Sequence, residues 1–127
     1  MNNKSIIRIA AILGILAVGI GAFGAHGLEP LLVQYGREAT FETAVKYHFY
    51  HTLAIFLVGV LQASGQVSKF FSYSVYSFLL GILVFSGSLY VLSLTNFTWL
   101  GAVTPIGGLA FILGWIFLFV GSGKSLN

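Results

Sequence analysis

Long apolar stretches and short polar breaks divide this chain, and the spacing of the breaks matches membrane crossings. A helix through the hydrocarbon takes about 20 mostly apolar residues. Four such runs follow one another, at residues 6–25, 43–63, 71–94 and 99–121. Lys4 and Arg8 stand at the head of the first, and Ser64-Gly65-Gln66 closes the second. Strands fit poorly, because barrel strands alternate lipid-facing and lumen-facing residues over about ten positions. Here residues 9–20 and 109–120 are continuously apolar. The pattern predicts an all-α integral membrane protein of four transmembrane helices in two hairpins, joined by residues 64–69. Residues 1–127 form a single membrane domain, with nothing left over for an extramembrane one. Ala22-Phe23-Gly24 has the small residues of a signal-peptide cleavage site, but the run before it is long, and the first segment is expected to be retained.

Between the first two runs the pattern changes. Leu28, Leu31, Leu32 and Tyr35 repeat with helical spacing, Pro30 suits a first turn, and Gly36 suits a stop. This predicts a short amphipathic helix lying in the outer interface. Thr40 is then expected to cap the second span, with Glu42 in its first turn and paired to Lys46 four residues on. In the fourth run, Pro105 beside Gly107-Gly108 predicts a kink or an irregular turn.

Composition turns the helical reading into a membrane reading. The chain is 57% hydrophobic and 7% charged, where soluble domains carry about 25% charged residues. Nine charged side chains cannot cover the surface of so small a soluble domain, so membrane lipids are its immediate partners. Four spans put both termini and the middle loop on one side. That side holds Lys4, Arg8, Lys69 and Lys124, against Arg37 and Lys46 on the other with the acids Glu29, Glu38 and Glu42. The excess of basic residues predicts cytoplasmic termini. It also accounts for the net charge of +3 without nucleic acid as a partner. Cysteine is absent, which excludes disulfides and thiolate metal sites.

Candidate chemistry lies in the polar residues of the outer half. His26, Tyr47, His48, His51, Ser86, Ser88, Tyr90 and Thr104 come from all four spans at similar expected depth. Polar groups in the bilayer must find partners within the protein, so one shared outer cluster is expected. His48 and His51 share a face, with Glu42 on the opposite side, which argues against a metal held by all three. A histidine within a span is a functional-site candidate; the alternative is that both rings fasten the bundle to Ser86, Ser88, Tyr90 or Thr104. His51 in particular is expected to reach Ser86, Ser88 or Tyr90. No cofactor, catalytic pair or soluble substrate is indicated. Ala10, Gly14, Ala17, Gly21 and Ala25 form a small-residue stripe on the first span, and Ala110 and Gly114 another on the fourth. Such stripes let helices approach closely. One face of the first span is expected against the fourth, and another against a second copy in a homo-oligomer.

Four segments carry a family resemblance. They are Gly21-Ala22-Phe23-Gly24-Ala25-His26-Gly27, Thr43-Ala44-Val45-Lys46-Tyr47-His48-Phe49-Tyr50-His51, Phe85-Ser86-Gly87-Ser88-Leu89-Tyr90, and Thr104-Pro105-Ile106-Gly107-Gly108-Leu109-Ala110-Phe111 with Gly114-Trp115. Together they resemble the small bacterial inner-membrane proteins grouped as domain of unknown function 423 (uncharacterised protein family 0382). The resemblance implies a plasma-membrane protein and no established activity, substrate, cofactor or catalytic residue. Three classes of function stay open. The first is a non-enzymatic role in envelope integrity or within a larger membrane assembly. The second is an oligomeric transporter, channel or ligand-binding protein using the outer cluster, and the third is an enzyme or redox carrier using the histidines.

Overall fold

The first helix, α1 (Asn3–Ala25), starts where the Asn2 side chain accepts a hydrogen bond from the Ser5 amide at 2.8 Å. It ends where the amides of His26 and Leu28 fold back onto the Phe23 carbonyl. In this computed structural model, residues 1–126 are described, with side chains to residue 123. Lys124, counted above among the inner basic residues, therefore has a side chain outside the described set.

A short helix, α2 (Glu29–Tyr35), occupies the loop between the first two spans, with Pro30 in its first turn. Gly36 stops it in the left-handed region, at φ +66°, which costs a residue without a Cβ little. The Arg37 amide then reaches the Leu32 carbonyl at 2.8 Å. That turn needs so little chain that α3 (Glu38–Ala63) begins at once. The second span thus starts five residues before the expected Thr43. Thr40 lies inside the helix and does not cap it; Arg37 takes the cap position without a side-chain bond. Glu38 is the acid of the first turn. Glu42 and Lys46 pair at 3.1 Å on the exposed surface.

The third span has three parts: α4 (Lys69–Gly81), a π-helical turn at Ile82–Ser86, and α5 (Gly87–Thr95). Ser68 caps α4 through the Phe70 amide. A 3₁₀ turn at Thr98–Ala102 precedes α6 (Thr104–Leu126). Pro105 stands in the first turn of α6, where its missing N–H would have had no helical partner. The irregularity expected near it is the 3₁₀ turn just before. Four helical stretches are long and apolar enough to cross a membrane: Asn3–Ala25, Glu38–Ala63, Lys69–Thr95 and Thr98–Gly123.

Two close helix pairs make up the bundle. In the first, α1 lies on α3, with Ala10 and Ala17 buried, Gly24 against the Phe41 ring and Gly59 against Ile6 and Ile7. The small-residue stripe of α1 therefore seats α3, where the fourth span was expected. In the second, α4 and the π turn lie on α6, with Gly81 against Phe111, Gly114 against Phe78, and Gly107 against the backbone of Phe85. The third span also lies along α3, which joins the pairs over a core that includes Ile55, Val58, Phe71, Val75 and Phe78. At the end of the bundle away from the N-terminus, Arg37 Nε donates to Asn96 Oδ1 at 3.1 Å and ties the loop after the first span to the loop after the third. Large apolar side chains such as Ile15, Leu83 and Phe119 point outward; in lipid that exposure carries no penalty of the kind water imposes.

Candidate functional site

Helix α3 carries both histidines on a face that also buries Ala44, Thr52 and Ile55. The two rings are three residues apart, about 60° around the helix, and that angle sends them to different neighbours. His48 is 3% exposed. Its Nδ1 pairs with the Tyr90 hydroxyl of α5 at 2.8 Å, and the Tyr90 ring packs on Phe41. The Leu13 carbonyl of α1 lies beside the imidazole, yet Nε2 closes no hydrogen bond.

His51 stands midway along α3 and is 5% exposed. Trp115 Nε1 of α6 donates to its Nε2 at 3.1 Å. An indole N–H can only donate, so Nε2 is the bare nitrogen and Nδ1 carries the proton. That proton goes to the Tyr47 carbonyl at 2.7 Å. The ring is therefore neutral, with both nitrogens engaged, and it lies flat on Phe111 with centroids 3.6 Å apart. Ser86, Ser88 and Tyr90, the expected partners, are elsewhere. Ser86 donates to the Ala44 carbonyl at 2.8 Å, and Ser88 meets Thr104 at 2.7 Å.

The residues expected in one outer cluster are thus distributed over separate contacts between helices. His48 with Tyr90 and Ser86 with Ala44 join α3 to the third span. Ser88 with Thr104 joins the third span to α6, and His51 with Trp115 joins α3 to α6. His26 belongs to none of them and is exposed at the end of α1. Tyr47 is exposed as well, its ring 4.7 Å from Phe85.

Depth differs from the expectation too, because His51 sits at mid-span and not near the outer face. Away from the expected cluster, near the start of the third span, fully buried Ser74 donates to the Gly114 carbonyl at 2.9 Å. Trp115 was the overlooked partner of His51. Its position offered a signal: tryptophan favours the membrane interfaces, so one placed mid-span implies a buried N–H in need of an acceptor.

Two recesses flank these contacts. One, of about 340 Å³, has Glu29, Glu38 and Glu42 on its rim and Phe41 and Gly24 beneath. The other, of about 720 Å³, runs between α3 and α6 past Tyr50, His51 and Trp115. Among the described residues, no three histidine, cysteine, aspartate or glutamate side chains are grouped to hold a metal ion. What the geometry does chemically is satisfy polar groups inside the bilayer by joining helix to helix.

Comparison with known proteins places this arrangement among relatives. The model of a family described as "Protein of unknown function (DUF423)" matches residues 20–108. The chain is 45% identical over 125 residues to the UPF0382 membrane protein YwdK of Bacillus subtilis, covering 97% of this chain and 99% of that one. It is 44% identical over 121 residues to the UPF0382 membrane protein SH2409 of Staphylococcus haemolyticus, covering 95% and 97%. A UPF0382 membrane protein of Haemophilus influenzae is 39% identical over 125 residues, covering 98% of each chain. No solved structure matches.

Proposed function

Since the chain belongs to the DUF423 family of membrane proteins, we propose that it is a non-catalytic component of the bacterial plasma membrane, acting through its folded body in envelope integrity or within a larger assembly. The observation that carries this reading is the engagement of His51. One of its nitrogens holds the Tyr47 carbonyl of its own helix and the other accepts from Trp115 of α6, so a buried histidine at mid-span fastens the bundle. Ser86, Ser88, Tyr90 and Thr104, and one nitrogen of His48, which a transport reading would use, are likewise paired between helices. Cytoplasmic termini belong to the proposal, supported by Lys4, Arg8 and Lys69 at the inner ends of the spans. A homo-oligomer also belongs to it, but with the α1 stripe seated on α3, other copies would meet the outward face of Ile12, Ile15 and Val18.

Complementation of a deletion strain under envelope stress tests the role. His51→Leu and Tyr90→Phe should restore growth in proportion to the amount of folded protein in the membrane. A variant that folds to the wild-type level and fails to complement would overturn a purely structural role.

A further inference from the structure

The groove between α3 and α6 is walled by rings, and two of its hydroxyls have nothing to bond. Tyr47, Tyr50 and His51 come from α3, and Phe111 and Trp115 from α6, with Phe85 of the π turn at the back. Neither the Tyr47 nor the Tyr50 hydroxyl makes a hydrogen bond among the described residues. Tyr50 adjoins His51 at the midpoint of α3 and is 55% exposed. With about 30 Å of hydrocarbon around the bundle, neither water nor a phospholipid ester reaches that level. A phenol donor there lacks an acceptor unless something dissolved in the hydrocarbon brings one. The π turn adds a second observation. Such turns interrupt helices frequently at functional sites, and this one sets Phe85 into the groove, close enough to α6 that only a glycine fits at position 107.

From these features we infer that the groove is a binding site for a lipid-soluble quinone, a flat ring carrying carbonyl oxygens on an apolar tail. The aromatic walls stack or tilt against the ring. Tyr50 donates to one carbonyl, with Tyr47 one turn nearer the outer end as a second donor. The apolar tail leaves through the open side of the groove into lipid. Binding alone is inferred, with no oxidation or reduction. The site is independent of the fastening role: Tyr50 bonds nothing in the fold, whereas His51 does.

The test uses the full chain in lipid nanodiscs, carrying Trp99→Phe so that Trp115 is the reporter among its two tryptophans. A decyl-substituted benzoquinone titrated into the discs should quench Trp115 fluorescence saturably. Tyr50→Phe should leave thermal unfolding unchanged and weaken the apparent affinity about three- to tenfold, as loss of one hydrogen bond does. Quenching that rises linearly with quinone, or that Tyr50→Phe does not alter, would overturn the inference. So would a groove filled by a second copy, seen as disulfide-linked dimers of Ile112→Cys without saturable quenching.

Discussion

Gly19 and Gly107 are both helical glycines, and their surroundings give the same substitution opposite outcomes. A Cβ at Gly107 would meet the backbone of Phe85, which cannot move aside as a side-chain tip can. A Cβ at Gly19 meets nothing within 4 Å. Gly107→Ala should lower stability by about 1–3 kcal/mol, the usual range for overpacking. Gly19→Ala should leave it unchanged or raise it by up to about 1 kcal/mol through helix propensity. Unfolding both variants in the same detergent checks this, and equal effects would contradict the packing described. At this scale the sequence revealed which residues matter better than what each one touches. A polar residue in an apolar run is conspicuous, and helical spacing tells which face it occupies. Spacing cannot tell which helix stands opposite. His51 was therefore legible as a buried polar group, while its bond to Trp115 depended on where α6 lies.

Short elements were legible where their punctuation is chemical. Pro30 and Gly36 bracket α2 because one has a fixed φ and the other tolerates a positive one. The start of α3 was misplaced for a related reason. Gly36 turns the chain so sharply that no linker remains for Thr40 to cap. The π turn had no mark at all, since Ile82–Ser86 lies within an apolar run and no residue type signals a wider helical turn. Within α2, Leu32 is 3% exposed and the adjacent Val33 56%. Spin labels at the two positions in bilayers should differ accordingly, with the label at position 32 shielded from an aqueous relaxation agent and the one at 33 open to it. Equal accessibility would mean that α2 does not hold one face against the bundle.

For the whole molecule, the four spans were readable from run length alone, because the bilayer sets the length that each must have. The order of packing was not, since small-residue stripes show that a helix is approached closely but not by which neighbour. The proposed orientation rests on charge: a cysteine placed at Gly36 should react with an impermeant reagent from outside intact cells, and one at Asn3 should not. The reverse labelling would invert the topology. The bundle itself depends on bonds between its two halves, and the tie between His51 and Trp115 runs directly from the first hairpin to the second. A double-mutant cycle on His51→Leu and Trp115→Phe, read from reversible unfolding of the reconstituted protein, tests this most directly. The fastened bundle predicts a coupling energy of about 1 kcal/mol, as measured membrane hydrogen bonds give. Strictly additive effects of the two substitutions would contradict it.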